Sequence, residues 1–240
     1  MDNLSRTVLL YAIRLDATAD EIAACSRLLS PDEIARADRF VDASFSHRWQ
    51  VCRARLRQLL GGHCNIDPAE LRFEQQEYGK PVIAAGQSDA ELHFNLSHSH
   101  RLAMIAVTES GPVGVDVEYI KTIGDWAGVA SRFFSPGEQE QLASVAAEQR
   151  MRAFYNCWTR KEAVIKATGE GLSARLDSFD VSLTPGAQPE VLADRRSGDN
   201  DKRWQMYGFE ADAGYVGAIA VRSSLAIKWH DKSFWPPDLS

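Results

Sequence analysis

The sequence has little of what marks secreted, membrane-spanning or nucleic-acid-binding proteins. Its four cysteines are scattered and form no C-x-x-C pair, which indicates reduced thiols in a cytoplasmic protein rather than a disulfide framework. No apolar stretch reaches the roughly 18 residues that a transmembrane helix needs, and residues 1–6 lack the layout of a signal peptide. We therefore expect a cytoplasmic protein with no membrane partner.

The composition also lacks an excess of basic residues. The 240 residues carry a formal net charge of −6, which argues against nucleic acid as a partner. The arginines are unevenly distributed, because Arg48, Arg53, Arg55 and Arg57 follow one another with no acid among them. This run predicts either a basic face for an anionic ligand or partner, or a solvated helix face.

Helix-boundary residues and hydrophobic patterns divide the chain into two similar runs of elements. Ser30, Pro31 and Glu33 are typical of a helix start, and Gly61 with Gly62 of a helix end. The first run has a strand at 7–15, helices at 30–40 and 45–62, and strands at 70–75, 91–97 and 102–108. The second has helices at 135–149 and 152–171, strands at 179–183, 203–210 and 215–222, and a polar loop at 184–201.

The repeated order predicts an α+β protein with two similar halves related by a pseudo-twofold axis. Each half would hold helices packed on a small antiparallel sheet, with the halves at 1–112 and 113–240. The period of about 110 residues is too long for a solenoid, and chance similarity of short elements is the alternative. Two such halves would leave a cleft between them, where ligands commonly bind.

Two carboxylates share one face of the strand GVDVE. Val113, Val115 and Val117 alternate with Asp116 and Glu118, so we expect the valines in the core and the acids projecting together. Like charges at this spacing repel unless a cation lies between them, and oxygen ligands favour Mg²⁺ or Mn²⁺. The alternative is a half-exposed strand with solvated acids.

Further polar residues could complete such a site. Glu162 and Lys166 in WTRKEAVIKATGEG lie four residues apart and would share a helix face, either as part of a magnesium site or as a surface ion pair. Ser97 and His98 in FNLSHSH are candidate donors to phosphate, and Lys80 in the turn EYGKP offers another cation.

Simpler interpretations exist for the last two segments. FNLSHSH fits a polar turn, and Lys80 fits an ordinary loop lysine. A zinc site formed by His93, His98 and His100 is disfavoured, because their spacing fits no usual ligand pattern.

Five motifs follow one another in a characteristic order: YGKP, FNLSHS, GVDVE, RFFSPGE and WTRKEAVIKATGEGL. In this order they resemble the signature of the Sfp-type 4′-phosphopantetheinyl transferase family. The resemblance implies the pseudo-twofold α+β fold, with an active site between the halves. It also implies transfer of the 4′-phosphopantetheine arm of coenzyme A to a serine of an apo carrier protein, whether acyl, peptidyl or aryl. Adenosine 3′,5′-bisphosphate would be released.

The resemblance also implies a metal site and a catalytic set in the C-terminal half. It implies that Asp116, Glu118 and Glu162 hold Mg²⁺, with Mn²⁺ as a possible substitute. Glu162, Lys166 and Asp116 are then the predicted catalytic residues. Glu162 would take the proton of the carrier serine, directly or through a metal-bound water. Glu138 in RFFSPGE is not expected to be a ligand, because a capping role explains an acid at that position.

Coenzyme A, as the second substrate, needs cations for its phosphates. The contacts that the resemblance implies are Lys80, Ser97, His98, Lys166, Arg36 and Arg48. The family implies that carrier proteins are acidic, so the run from Arg48 to Arg57 is a candidate contact for the carrier.

Two other classes of function remain open from the residues alone. One is a magnesium-dependent hydrolase that cleaves a nucleotide pyrophosphate with the same carboxylates. The other is a non-catalytic module that binds a carrier protein or coenzyme A; it is disfavoured because three acids and Lys166 are all present. Since one chain contains both halves, we expect a monomer.

Overall fold

The computed structural model describes residues 4–89, 91–171, 174–196, 204–222 and 225–230. Six α-helices, one short 3-10 helix at Leu176–Ser178 and eleven strands lie within these residues. The first half of the chain contains β1 Thr7–Arg14, α1 Ala19–Ser26, α2 Pro31–Ala37, α3 Ala43–Cys64, β2 Phe73–Gln75, β3 Pro81–Ile83, β4 His93–Ser99 and β5 Leu102–Thr108. The second contains β6 Val113–Tyr119, α4 Trp126–Phe133, α5 Pro136–Ser144, α6 Ala147–Thr168, β7 Phe179–Val181, β8 Val191–Asp194, β9 Gln205–Phe209, β10 Tyr215–Val221 and finally β11 Ala226–His230.

The two halves contain the same elements in the same order, apart from the 3-10 helix and the final β11. The matching helices are similar in length: α1 and α4 have 8 residues each, α3 and α6 have 22 each, and α2 and α5 have 7 and 9. The prediction of an α+β fold with two similar halves is therefore confirmed. The limits 1–112 and 113–240 stay a prediction, because β11, from the second range, pairs with β1; residues 231–240 lie outside the described part.

Two larger sheets and two small hairpins carry the strands. The first sheet has the order β11-β1-β5-β4, and the second has the order β6-β10-β9; β2 pairs with β3, and β7 with β8. All of these pairs are antiparallel except β1 with β11, which is parallel. The sequence pattern does not predict this parallel pair.

Alternating side chains of the strands build three apolar layers. On β1, Leu9, Tyr11 and Ile13 face α1 and α3, whereas Val8 and Leu10 face the second sheet. A third layer lies between the second sheet and α6. Because full burial of one such side chain contributes about 1.5–3 kcal/mol, this layered arrangement holds β6 firmly between the first sheet and α6.

Capping residues define several helix boundaries. Ser30 and Glu33 form a capping box at the start of α2, as predicted, and Gly169 ends α6 in the left-handed conformation. The sequence analysis misses α1, although Thr18 and Glu21 form the same capping box there. This signal was available in the sequence, because T-x-x-E is the capping-box pattern.

The predicted end of α3 at its glycines is wrong. The helix continues through Gly61 and Gly62 to Cys64 and ends at Asn65, whose φ of 55° is left-handed. Gly61 serves a close approach instead, because a Cβ there would lie 2.6 Å from the carbonyl oxygen of Ile66.

Other elements also differ from the prediction. The helix predicted at 135–149 is two helices, because α5 ends at Ser144 and α6 begins at Ala147. The short helix α4 and the short strands β3, β8 and β11 are missed. Short strands depend on their partners in the fold more than on their own residues. Residue 203 of one predicted strand and residues 197–201 of the predicted polar loop lie outside the described ranges.

The cysteines and the helices relate to the two absences expected from the sequence. All four cysteines are free thiols. None of the helices in the described ranges combines the length and the apolar content that crossing a bilayer requires.

Candidate active site

The strand that carries the acid pair is covered on both faces. Val113, Val115 and Val117 are fully buried between the two sheets, as predicted. The opposite face packs against α6 rather than solvent, and Asp116 is only 3% exposed. A Cβ on Gly114 would lie 1.9 Å from the Ala163 carbonyl oxygen, so glycine is what allows β6 to approach α6 this closely. The alternative of a half-exposed strand with solvated acids is therefore wrong for Asp116.

Lys166 and Asp116 form an ion pair between α6 and β6. The Lys166 ammonium lies 2.6 Å from Asp116 Oδ1 and also donates to Ser97 Oγ at 3.0 Å. Ser97 in turn donates to Asp116 Oδ1 at 2.8 Å. These contacts bring together three of the predicted site residues, from β4, β6 and α6.

The polar side chains of β4 bind the edge strand of the other sheet. Asn95, Ser97 and Ser99 share one face of β4, because they alternate along it. They accept the backbone N–H groups of Val115 at 2.8 Å, Val117 at 3.3 Å and Tyr119 at 3.1 Å, respectively. Ser99 also donates to Glu118 Oε2 at 2.6 Å. This ladder sets the position of the acid pair from the other half of the molecule.

Burial and a neighbouring acid raise the pKa values of Glu162 and Glu118. Burial is the main cause of the raised pKa of Glu162, Asp116 adds to it, and Lys166 opposes it. Burial also raises the pKa of Glu118; the hydrogen bond from Ser99 works against this, and Asp116 adds to it. Three carboxylates therefore share a partly dry region with one ammonium, which leaves negative charge for a cation to balance.

The residues fit a divalent cation that also binds substrate. The carboxylate oxygen Asp116 Oδ2 is buried and has no hydrogen-bond partner among the described residues. No group of three or more His, Cys, Asp or Glu side chains in the described part is arranged as a complete metal site. Since Mg²⁺ usually takes one or two protein carboxylates together with waters and substrate phosphates, a complete protein cage is not required. The ligand set Asp116, Glu118 and Glu162 stays a prediction.

Lys80 joins the β2–β3 hairpin to the C-terminal half. Its ammonium donates to the carbonyl oxygens of Lys166 at 2.7 Å and Val113 at 3.2 Å. Burial lowers the pKa of Lys80 to about 8. Its predicted contact with coenzyme A stays a prediction, because these bonds direct the ammonium to backbone carbonyls beside the site.

A basic cavity of about 670 Å³ opens in the N-terminal half, next to the site. Arg36, Arg53, Arg57 and Arg72 supply its positive side chains. His98 also lines it, and burial lowers the pKa of its imidazole. Its other lining includes the acids of α2 and the turn between β2 and β3. The cavity adjoins the Lys166–Asp116 pair, because His98 lines the cavity and the charges of Lys166 and Asp116 both act on the pKa of its imidazole.

The arginines of α3 do not form the predicted surface. Arg55 and Arg57 are buried, and Arg57 donates to Glu33 Oε2 at 2.7 Å and to two backbone carbonyls. Arg53 also pairs with Glu33 and lies 4.0 Å from the centre of the Phe73 ring. The interpretation as a solvated helix face is wrong for these three arginines, because α3 turns them inward. Arg53 and Arg57 line the basic cavity, so their contact with an anionic ligand stays a prediction.

The charges of this cavity lower the pKa of Glu33. Burial alone would raise it, but the guanidiniums of Arg57 and Arg53 hold it below its ordinary range. Arg36 is exposed at the cavity and lies over the ring of Trp49. Arg48 pairs with Asp16 instead, at 3.2 Å. Sequence reasoning missed Arg53 and Arg72 as cavity residues, although Arg53 stood out in the arginine run.

Glu138 serves the fold, as the capping pattern predicts. It forms the capping box with Ser135, accepts the Val181 N–H at 2.8 Å, and pairs with the buried Lys161 at 2.7 Å. The described part of the chain gives no support to a zinc site at His93, His98 and His100.

A basic cavity beside a cluster of acids is an arrangement that suits a phosphorylated ligand. Residues 112–220 match the family described as the 4′-phosphopantetheinyl transferase superfamily. Residues 15–110 match the family described as 4′-phosphopantetheinyl transferase, N-terminal. The chain belongs to the 4′-phosphopantetheinyl transferase superfamily.

Several known proteins are similar to this chain over most of its length. The 4′-phosphopantetheinyl transferase HetI of a Nostoc species is 36% identical over 232 residues, which are 97% of this chain and 93% of that protein. The 4′-phosphopantetheinyl transferase Sfp of Bacillus subtilis is 32% identical, over 88% of this chain and 91% of its own. A crystal structure of holo-[acyl-carrier-protein] synthase from Thermotoga maritima covers 45% of this chain and 61% of its own, at 19% identity and a TM-score of 0.35.

These similarities confirm the predicted family and activity. The protein is a 4′-phosphopantetheinyl transferase, an enzyme that moves 4′-phosphopantetheine from coenzyme A to carrier proteins. The alternatives of a pyrophosphate hydrolase and of a non-catalytic module lose their support.

Proposed function

We propose that this enzyme is magnesium-dependent, modifies a serine of an apo carrier protein, and releases adenosine 3′,5′-bisphosphate. The observation that carries the proposal is the position of the basic cavity beside the carboxylates of β6 and α6. One substrate end is thereby placed among arginines and the other among acids.

The nucleotide end of coenzyme A binds in the basic cavity. Its phosphates need several cations, and guanidinium groups bind phosphate with two hydrogen bonds each. Arg36 and Arg72 are exposed at the cavity, and neither has a carboxylate partner in the described part of the chain, so both can reach a ligand. His98, on β4, adds a donor where the cavity adjoins the acids.

Asp116, Glu118 and Glu162 would hold the Mg²⁺ ion, which balances the charge of the pyrophosphate. Asp116 Oδ2 is the oxygen best placed for this, because it is buried and has no other partner in the described part of the chain. Lys166 neutralises the second oxygen of Asp116, so the site can hold three acids without excessive repulsion.

Glu162 acts as the general base. Burial raises its pKa, with a contribution from Asp116, and a carboxylate of raised pKa accepts a proton more readily near neutral pH. It takes the proton of the carrier serine as the serine oxygen attacks the phosphorus on the pantetheine side. The bond from that phosphorus to the leaving phosphate oxygen breaks, and adenosine 3′,5′-bisphosphate departs. Positioning and charge supply most of the acceleration.

The protein works as a cytoplasmic monomer. Both halves of the site come from one chain, since β4 lies in the first half and β6 and α6 in the second. Four free thiols agree with a reducing compartment. Light scattering on a size-exclusion column tests the monomer, and a dimer at micromolar concentration would contradict it.

Mass spectrometry tests the reaction. Apo carrier proteins are incubated with the chain, coenzyme A and Mg²⁺, and we expect one phosphopantetheine to be added to a single serine. A second reaction contains a chelator, and a third omits the carrier. Full transfer in chelator would contradict the metal requirement, and breakdown of coenzyme A without a carrier would favour hydrolysis.

A further inference from the structure

Ser99 makes a double contact with the acid-bearing strand. Its hydroxyl donates to Glu118 Oε2 at 2.6 Å and accepts the N–H of Tyr119 at 3.1 Å. Ser97 repeats this pattern one step earlier, with Asp116 as its acceptor. The repetition follows from geometry, because side chains alternate along both strands with the same period of two.

The contact crosses from one half of the molecule to the other. β4 is the edge strand of the first sheet, and β6 is the edge strand of the second. Their association in this region uses side chains of β4 and the backbone of β6. The orientation of each acid therefore depends on a serine from the opposite half.

A hydroxyl donor restricts the orientation of the carboxylate that accepts its hydrogen bond. A free Glu side chain loses up to about 1.5–2 kcal/mol of rotamer freedom when it is ordered. A bond that orders it beforehand removes this cost from ligand binding. The Ser99 bond occupies one lone-pair direction of Oε2, and so leaves the rest of the carboxylate available to a ligand.

We propose that Ser99 is a positioning residue that holds the Glu118 carboxylate ready for cation binding. The inference rests on the proposed function, in which Glu118 is a magnesium ligand. Ser99 is separable from the rest of the site, because Ser97 also contacts Lys166 whereas the bonds of Ser99 run to β6. Removing a hydrogen-bond partner of a metal ligand typically costs 10–100-fold in metal affinity.

The test compares Ser99→Ala with Ser99→Thr, which keeps the hydroxyl. The matched control is Ser144→Ala, since the exposed Ser144 hydroxyl donates only within α5, to the Gln141 carbonyl oxygen. Binding of Mn²⁺ to the full chain without coenzyme A is followed by the loss of the free-ion electron paramagnetic resonance signal. Transfer rates are then measured against Mg²⁺ concentration.

We expect Ser99→Ala to weaken Mn²⁺ binding about tenfold or more. The Mg²⁺ concentration for half-maximal rate rises by a similar factor, while kcat at saturating Mg²⁺ stays within about threefold of the wild type. Ser99→Thr and Ser144→Ala keep wild-type values. If Ser99→Ala does not fold, Ser99→Cys takes its place, because a thiol has a similar size and is a weaker donor.

The outcomes separate this inference from the function on which it rests. If the wild type binds Mn²⁺ and Ser99→Ala binds it equally well, the positioning role is overturned and the metal site stands. If Ser99→Thr is as weak as Ser99→Ala, the hydroxyl is not responsible, and the role is again overturned. A wild type that binds no Mn²⁺ and transfers the arm in chelator overturns the proposed metal site as well.

Discussion

The ammonium of Lys166 lies 2.6 Å from Oδ1 of Asp116, so an ion pair connects the end of α6 to the middle of β6. Lys166 is 27% exposed and Asp116 5%, measured on their side chains. The pair is therefore screened less than a surface pair. It links two residues that are 50 positions apart in the chain.

Asp116→Asn should reduce both stability and activity. It removes the charge that balances Lys166, and a hydrogen bond to a charged group contributes about 1.5–3 kcal/mol. Urea unfolding measures the free energy, and transfer to an apo carrier should fall at least about 100-fold. The control Asp177→Asn breaks the exposed pair with Arg175 and should cost no more than about 1 kcal/mol. Equal losses in the two variants would contradict the importance of the Lys166 pair.

Glu162→Gln should raise the melting temperature at neutral pH while it abolishes most of the turnover. The pKa of Glu162 is raised in the fold, mainly by burial, so the folded protein binds this proton more tightly than the unfolded chain. The charged form therefore reduces stability increasingly as the pH rises from about 4.3 through the raised pKa. The advantage of Glu162→Gln should vanish below about pH 4.

Glu148→Gln is the matched control for this variant. Glu148 is an exposed acid in the first turn of the same helix, α6. An acid at that end stabilises a helix by about 0.3–1 kcal/mol, so its removal should slightly lower the melting temperature and leave turnover unchanged. If Glu162→Gln keeps wild-type turnover, Glu162 is not the base.

Lys80→Met should change how stability depends on alkaline pH. Burial lowers the pKa of Lys80 to about 8 in the fold, below its value of about 10.4 in the unfolded chain. Between these pH values the unfolded chain binds more protons, so the wild type gains stability as the pH rises. We expect the unfolding free energy of the wild type, minus that of the variant, to increase over this window. A constant difference between pH 7 and pH 10.5 would contradict the burial of the ammonium.

Arg36→Gln and Arg72→Gln should weaken coenzyme A binding. Each removes an exposed cation from the basic cavity. Loss of one charged hydrogen bond, at about 1.5–3 kcal/mol, corresponds to roughly a tenfold or larger rise in KM for coenzyme A. The control is Arg14→Gln, an exposed arginine that pairs with Asp212 away from this cavity. An equal effect of the control variant would argue against the cavity as the nucleotide site.

Gly114→Ala should severely destabilise the protein. The added Cβ would lie 1.9 Å from the Ala163 carbonyl oxygen and 2.4 Å from the Ala167 nitrogen, and backbone atoms on one helix cannot move aside singly. The cost should reach or exceed the upper end of the roughly 1–3 kcal/mol usual for overpacking. Thermal melting and the yield of folded protein report it.

The control for that variant is Gly62→Ala. Gly62 is exposed on α3, and nothing lies within 4 Å of its added Cβ. Alanine in a helix interior is favoured over glycine by roughly 0.5–1 kcal/mol, so the control should be stabilised. A mild effect of Gly114→Ala would mean that β6 and α6 pack less closely than described.

Much of the site was predictable because its residues belong to regular patterns. The alternation of Val115, Asp116 and Val117 predicted a strand with one buried valine face, and the structure has that face. The spacing of Glu162 and Lys166 predicted a shared helix face, and both side chains interact with Asp116. These are local regularities of strands and helices, which do not require knowledge of the partner element.

The residues that contact each face of a helix or strand were not predictable from the sequence. Nothing in the residues around Arg55 and Arg57 indicates that α3 turns them inward, because burial of an arginine depends on carbonyls and carboxylates from distant segments. The sequence likewise does not indicate that Ser99 contacts Glu118, since the two residues lie 19 positions apart. Contacts between distant positions are decided by packing.

The order of five motifs was enough to predict the family, and local patterns were enough to predict the two α+β halves and the acids that share a face of β6. Capping boxes and periods of two and 3.6 act over a few residues, so they can be recognised without knowledge of the partner element. The three-dimensional arrangement was needed to show that β6 is covered on both faces, that Lys166 neutralises Asp116, and that serines of β4 hold the acids of β6. These properties arise from the close packing of β4, β6 and α6, which brings together residues that are distant in the sequence.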